Sequence, residues 1–590
     1  MRVWLVAIAV LVVAHDFSHA NVAPAFGVAP AFGVAQGLGP AVPVFTKDVA
    51  PLLVDRCGTC HHPGGSAPFS LLTFADAQRH AAQIAVVTAN RFMPPWKADP
   101  ADGPFIGQHP LSGGEIRMLR QWADAGAPEG DALRQAQGRR APASPTWTDG
   151  WQLGKPDLVI TLPQAYTLPA EGADAFRIFV LPIPVETARF VRGLEFRPGN
   201  PKVVHHANIR IDTTPVSRRL DEADPAPGYD GLIPRSATYP DGHFLGWTPG
   251  QVAPLLPNDL SWRLEKNTDL VVELHMQPSG KPEQVLPSVG LYFGDTAPTR
   301  TPVMLRLGRQ NIDIPAGDSH YIITDSYTVP VDVDVEAVQP HAHYRAHDVR
   351  GEATLPDGSK RALIDIADWD FRWQHVYRFV TPVRLPKGTT LSMQYTYDNS
   401  AANARNPQQP PTRARWGQLS AEEMGDLWIQ VLPRDGRDLD LLSRDFRPKV
   451  AAEDVRGYES EIKKHPGDTG LHDDVALLYL ELGRADNAVV HFKTSLVLKP
   501  QSAVAHYNLG TALTVGRRLD EAAGEYREAL RIDPAYANAH NNLGNVLLAQ
   551  QRFDDAIREF REVVRLQPES AAAKKNLAAA IAAAEKKPHD

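Results

Sequence analysis

Apolar residues recur along the 590-residue chain with different periods, and each period predicts a different kind of element. Near the N-terminus, Phe45 to Arg56, Ala75 to Ala89 and Leu111 to Ala125 have the spacing of short helices, the last through Ile116, Leu119 and Trp122 with Gly126 as its stop. From about Trp151 to Pro433 the apolar runs are short, as in Leu158 to Leu162, Phe176 to Leu181, Leu270 to Leu274 and Val331 to Val335, with Pro, Gly, Asp and Asn between them. Such runs predict strands, and their number and spacing predict one or two antiparallel sandwiches whose loops can gather distant residues. Beyond them, segments 467–500, 501–534 and 535–568 form three successive 34-residue units. Ala505-His506-Tyr507-Asn508-Leu509-Gly510 matches Ala539-His540-Asn541-Asn542-Leu543-Gly544, and Pro500, Pro534 and Pro568 mark the unit ends. Repeats of this length and pattern are tetratricopeptide-like helix pairs, in which small residues allow close helix contact.

The remaining segments read as signals and connectors. Arg2, the apolar run Val3 to Ala14 and the small-residue site Ser18-His19-Ala20 predict a signal peptide over 1–20, hence a periplasmic or secreted protein. The run is too short for a convincing membrane span. The doubled Val-Ala-Pro-Ala-Phe-Gly at 22–33 predicts a flexible spacer over 21–43, and the Pro-containing run Ala141 to Pro145 a linker over 133–150. A connecting segment is expected over 436–466, and a terminal helix from Ala571 to Lys586 within the 569–590 tail. Hydrophobic residues at 43% and charged residues at 22% support several cores and exclude a disordered chain. The formal charge of -8 offers no basic field, so nucleic acid is not an expected partner.

Both cysteines fall within Cys57-Gly58-Thr59-Cys60-His61. This CxxCH spacing attaches a c-type haem through two thiols, and the adjacent His61 supplies an iron ligand. A redox disulfide or partial zinc site needs no histidine there, and no second cysteine pair supports zinc. Met93, in Met93-Pro94-Pro95-Trp96, is the leading sixth ligand, with His62, His80 and His109 as the alternatives that spacing leaves open. The segment 44–132 resembles the small cytochrome modules fused to exported bacterial oxidoreductases, in its CxxCH, its MPPW and its late Trp122 to Gly130 stretch.

In the strand region the polar chemistry concentrates in histidines. His205 and His206 end one apolar run and His275 lies on another, and as a spatial set these imidazoles suit copper, zinc or iron. His341 and His343 share one side of a strand by their i,i+2 spacing, and His347 either continues that side or serves an adjacent loop. Met424 offers a soft thioether that can complete a copper site. Tyr344 and Arg345 read as an interfacial ring and a solvent-facing cation.

Taken together, Val204-His205-His206, Glu273-Leu274-His275, Pro340-His341-Ala342-His343, Thr396-Tyr397-Asp398-Asn399-Ser400 and Glu422-Glu423-Met424 resemble the copper type II, ascorbate-dependent monooxygenases, the family of the peptidylglycine alpha-hydroxylating and dopamine beta-monooxygenases. The resemblance spans roughly 151–433 and implies two jelly-roll sandwiches, 151–300 and 301–435, separated by an open cleft. It implies an electron-transfer copper on His205, His206 and His275, and an oxygen-binding catalytic copper on His341, His343 and Met424. The implied reaction hydroxylates an organic C–H bond with molecular oxygen and electrons from ascorbate or another external donor.

The region lacks the cysteines that build disulfides in the animal enzymes, and Gly425 stands where their pattern often has cysteine, which leaves the substrate open. The haem module can pass electrons to the His205, His206 and His275 copper, and fusion raises its effective concentration. A non-enzymatic haem and copper electron-transfer protein, or a metal-dependent hydrolase, uses many of the same residues. A protein or peptide is the expected partner of the repeat surface, with His506, Tyr507, Asn508, His540, Asn541 and Asn542 at exposed or inter-repeat positions.

Overall fold

The computed structural model describes residues 42–63, 67–99, 101–108, 110–130, 151–172, 174–231, 233–251 and 255–585. The segments expected as a signal peptide over 1–20 and a linker over 133–150, His109 and nearly all of the spacer expected over 21–43 lie outside the described residues.

The N-terminal part is a small helical unit. A π-helical turn over Phe45–Val49 runs into a helix over Ala50–Arg56, and a capping box between Ser112 and Glu115 starts the Gly113–Asp124 helix. The helix expected over Ala75 to Ala89 is instead two, Phe74–Arg79 and Ala81–Ala89, because the backbone leaves helical geometry at His80. Phe45, Leu53, Leu119 and Trp122 form the core. The Trp122 indole donates to the Pro128 carbonyl at 3.1 Å, and Phe45 and Thr46 donate their N–H groups to Pro128 and Glu129. Gly130 has φ +90° and a Cβ there would lie 2.8 Å from Val44, so only glycine lets this strap close over the first turn.

The middle region is β-sandwich throughout. In its first half the sheet Leu158–Thr161, Ser288–Gly294, Arg189–Arg197, Trp262–Leu264 encloses a core of Phe179, Val191, Ile209, Trp262 and Val272 with the sheet built on Ala175–Pro182, Asp269–Met276 and Val204–Asp212. In its second half, Val303–Gly308, Gly425–Pro433, Val333–Ala342 and Tyr377–Leu385 form one sheet. The other contains Tyr321–Thr328, Thr390–Tyr397, Ala346–Thr354 and Lys360–Ile366. Ala98 and Phe105, from the chain leaving the helical unit, join this second core. Nearby, Asp99 donates its N–H to Asp365 and Ile106 to Arg378, so the helical unit is fixed to the second sandwich by backbone hydrogen bonds as well as packing.

The connecting segment expected over 436–466 is helical. It is one helix of 29 residues, Gly436–Lys464, capped by Asp435 and carrying Pro448 inside. Its Leu442 and Phe446 enter the second sandwich core while Ala451 and Val455 enter the core of the repeats. Sharing its apolar residues between two cores leaves no single stripe in the sequence.

The repeat array follows as helix pairs Thr469–Glu481 with Ala485–Leu498, Ala503–Val515 with Leu519–Ile532, and Ala537–Ala549 with Phe553–Leu566, closed by Ala571–Glu585. A Cβ on Gly510 would lie 2.7 Å from Tyr526, and one on Gly544 2.9 Å from Phe560, which is why the helices of a pair pack so closely there. His506 and His540 do not face outward for a partner. Each bonds the preceding proline carbonyl and donates to a glutamate on the second helix of its pair, Glu525 at 2.7 Å and Glu559 at 2.6 Å. Tyr507 and Asn542 bond across repeats, at 3.2 Å.

The Glu559 hydrogen bond raises the His540 pKa above its ordinary 6.5 against the opposing effect of burial. A raised histidine contributes stability that is complete below its unfolded value and is lost as pH rises through the folded one. His540→Gln is therefore expected to destabilise the repeats by about 0.5–1 kcal/mol near pH 5.5 and much less near pH 9. Urea unfolding of the full chain, followed by helical circular dichroism at both pH values, checks this.

Candidate functional site

The strand Val204–Asp212 pairs antiparallel with Asp269–Met276 and sets His206 directly opposite His275. Adjacent residues in a regular strand face opposite ways, but the register shifts between Val204 and His206 and this irregularity re-aims His205. The His275 ring centroid ends 5.1 Å from that of His205 and 4.9 Å from that of His206. Two imidazoles sharing one ion at ordinary ligand lengths stand roughly 5 Å apart, centre to centre.

The nitrogen chemistry fits a metal. His275 Nε2 lies 3.0 Å from Asp174 Oδ2, and as donor to that carboxylate the ring leaves Nδ1 with an open lone pair. His275 Nδ1 and His205 Nδ1 are both buried and have no hydrogen-bond partner. Burial opposes ionisation of Asp174, yet the His275 hydrogen bond and the nearby imidazoles hold its pKa below the ordinary value. Burial, with repulsion from His275, pulls His205 down to about 4, so its ring is neutral and basic near neutral pH. Among the described residues no three His, Cys, Asp or Glu side chains form a ready-made cage. The fit rests on ring spacing and on the orphaned nitrogens.

The second group forms where Val333–Ala342 runs beside Gly425–Pro433, with His341 opposite Asp426 and Ala342 opposite Gly425. This register brings Met424 alongside the histidines. The His341 and His343 ring centroids are 5.4 Å apart. His341 Nδ1 bonds the Gln374 side-chain oxygen, and His343 Nδ1 bonds the Glu422 carbonyl at 3.2 Å, so Nε2 of each ring is left for a ligand. Burial lowers His341 to about 4 and His343 well below its ordinary value.

Beneath them lies a carboxylate whose role the sequence did not announce. Glu423 is fully buried and accepts backbone N–H groups from His343, Arg345 and Met424, tying the histidine run to the methionine. Burial pushes it up to about 7 against the pull of these bonds. Arg345, expected to face solvent, is fully buried too: it donates to Asn399 Oδ1 and to the Ala421 carbonyl, each at 2.9 Å. Asn399 thereby braces the site from behind. His347 points away, exposed and paired with Asp348 at 2.9 Å.

The two groups meet around a shared cavity. His206, His341, His343 and Met424 line one cavity of about 140 Å³. The Phe371 ring lies 5.3 Å from the rings of both His275 and His343 and 4.6 Å from Tyr344. Beside it, a larger cavity of about 630 Å³ opens between the sandwiches and the long helix, and Met424, Arg210, Tyr239 and Trp428 line both. Asp174, Gln374 and Phe371 carried no sequence signal, since each meets its histidine only through the fold; Asp174 and His275 are 101 residues apart.

In the helical unit, Cys57, Cys60, His61 and Met93 line a third cavity, apolar and about 270 Å³, with Phe69 and Ile84 among its walls. No disulfide joins the two cysteines, and burial pushes the Cys57 thiol up to about 12. His61 Nδ1 bonds the Phe69 carbonyl at 2.9 Å, which leaves Nε2 aimed for a metal. These donors and this apolar wall fit a covalently held haem. His62 and His80 are not in the wall; His80 stacks on Phe69 at 3.8 Å. Pro249 and Trp373 of the sandwich region complete the wall, and a Cβ on Gly250 would lie 2.8 Å from Cys60 Sγ.

Two family models match the C-terminal array, one for a TPR repeat at residues 518–551 and one for a tetratricopeptide repeat at 537–570. The C-terminal helices are thus tetratricopeptide repeats. No curated protein matches the chain. Similar solved structures include the crystal structure of MamA, 23% identical over 23% of this chain and 79% of that one, with a TM-score of 0.22. The first TPR of Spaghetti (RPAP3) bound to the HSP90 peptide SRMEEVD is 19% identical over 20% of this chain and 94% of that one, with a TM-score of 0.20.

Asp174→Ala removes the carboxylate that accepts from His275 Nε2. It is expected to weaken binding of an added transition-metal ion at the three-histidine group by roughly tenfold to a hundredfold, measured by competition with a chelator.

Proposed function

We propose that the protein is an exported copper-dependent monooxygenase that hydroxylates a C–H bond of an organic substrate with molecular oxygen, supplied with electrons through a covalently attached haem. The observation that carries this reading is the meeting of His341, His343, Met424 and His206 around one cavity, with unshared nitrogens facing it and a larger cavity alongside. Copper held by such imidazole and thioether donors supplies one-electron redox change and oxygen chemistry, which zinc does not.

The residues of the chain do the positioning. Gln374 and the Glu422 carbonyl hold the two rings in the tautomer that presents Nε2. Glu423 keeps Met424 at their side, and the Phe371 ring packs between the groups. Tyr239 and Trp428 give a substrate an aromatic wall that reaches Met424, and Arg210 adds a cation, its guanidinium 5.2 Å from the Tyr239 ring centre. His205, His206 and His275 hold the electron-transfer copper, with Cys57, Cys60, His61 and Met93 holding the haem; ascorbate or an exported donor protein reduces the system. The tetratricopeptide repeats offer a helical surface for a protein or peptide.

The protein purified with native metals is expected to hold two coppers and one haem per chain and to transfer label from ¹⁸O₂ into product, read by mass spectrometry across candidate organic substrates. Zinc in place of copper, or no oxygen consumption at full copper loading with a competent reductant, would sink the proposal.

A further inference from the structure

The five residues Phe371 to His375 lie between the strands Lys360–Ile366 and Tyr377–Leu385, and successive side chains reach different sites. Trp373 forms part of the wall of the haem cavity, with Met93 and Pro94. Its neighbour Gln374 is buried and bonds His341 Nδ1. Phe371 sits between His275 and His343. His375 bonds the Thr248 hydroxyl at 3.1 Å, one residue before the Pro249 that closes the same cavity.

The segment is held as one piece. Gln374 Nε2 donates to the Phe371 carbonyl and Trp373 N–H to the Asp370 carbonyl, each at 2.9 Å. Arg372 pairs with Asp370 at 2.8 Å and lies 5.8 Å from the centre of the Phe92 ring, on the helical unit.

We infer that this segment conducts electrons from the haem cavity to His341, with Trp373 as the first residue of the route. The route runs from indole to Gln374 along the chain, then through one hydrogen bond to the imidazole. It needs no jump through empty space between Trp373 and His341, and electronic coupling falls far more steeply across a gap than along bonds and short hydrogen bonds.

From Trp373 to the three-histidine group the bonded path is longer, running through His375 and its hydrogen bond to Thr248, then to Trp247, which pairs with Ala207 beside His206; the shorter approach there is the Phe371 ring packed against His275. The inference rests on the haem and copper reading and departs from it on one point: electrons from the haem reach the copper of His341, His343 and Met424 directly, without first occupying the copper of His205, His206 and His275. Each transfer takes one electron from ferrous haem, leaving it ferric, and converts copper(II) to copper(I). No bond is made or broken, and a one-electron reductant such as dithionite supplies the ferrous haem beforehand.

The test uses the full holoprotein without oxygen or substrate, so it reads haem absorbance and not turnover. Selective haem reduction in the presence of copper(II) is followed by stopped-flow absorbance. At full copper loading, Trp373→Leu is expected to slow haem reoxidation at least tenfold beyond what any measured shift in haem potential accounts for, Trp373→Phe to recover part of the rate, and Gln374→Leu to slow it likewise. His275→Ala, depleted of the three-histidine copper, is expected to keep the fast phase.

An unchanged rate in Trp373→Leu overturns the route while leaving the haem and copper reading intact. Loss of the fast phase in His275→Ala overturns direct delivery to the His341 copper. Absence of any copper-coupled haem oxidation in the unaltered protein removes the coupling from the proposed function and the route with it.

Discussion

The second sandwich is organised around two polar side chains, Glu423 and Arg345, buried out of reach of water. Glu423 and Arg345 are both fully buried, and each is tolerable there only because its hydrogen-bonding capacity is used up by neighbours. The carboxylate accepts three backbone N–H groups from the His343 to Arg345 turn and from Met424. The guanidinium reaches Asn399, Ala421 and Gln408. Between them they weld the end of one strand to the start of another, and the two histidines and the methionine have no freedom left in their backbones. Glu423 and Arg345 thus hold His343 and Met424 in place through hydrogen bonds without lining the cavity these residues face.

The same economy of parts extends outward. The helical unit gives Ala98 and Phe105 to the second sandwich core, and the long helix Gly436–Lys464 gives Leu442 and Phe446 to it from another side. The Trp96 ring meets Tyr377 edge-on at 5.2 Å, two residues beyond the end of the Phe371 to His375 segment. The wall of the cysteine cavity is thus built partly from the sandwiches, through Pro249 and Trp373. A module joined by a linker alone has only an effective concentration; one whose cavity is completed by its neighbour has a fixed distance.

Much of this was visible along the chain, but unevenly. The repeats were legible because each unit must bury the same face against the next, so the pattern returns every 34 residues. The strands showed as short apolar runs because their side chains fill a core from fixed directions. The long helix did not show, since its apolar residues serve two cores. Arg345 reads as a surface cation by residue type, and His506 and His540 read as exposed or inter-repeat; the first is satisfied by partners far along the chain and the others by a glutamate on the paired helix.

The sequence by itself determined which donors exist: two cysteines and a histidine in five residues, neighbouring imidazoles in the middle region, and a methionine after two glutamates. Donor identity is a property of residue type, and close spacing along the chain forces such groups to share a neighbourhood. Only the tertiary structure decided which nitrogen of each ring is open, that His206 shares a cavity with His341, and that Phe371 and Gln374 stand beside them. Those outcomes follow from strand register, a local irregularity beside His205 and the packing of segments far apart in sequence, and no local pattern of residues encodes a contact whose two halves meet only when the sheets close.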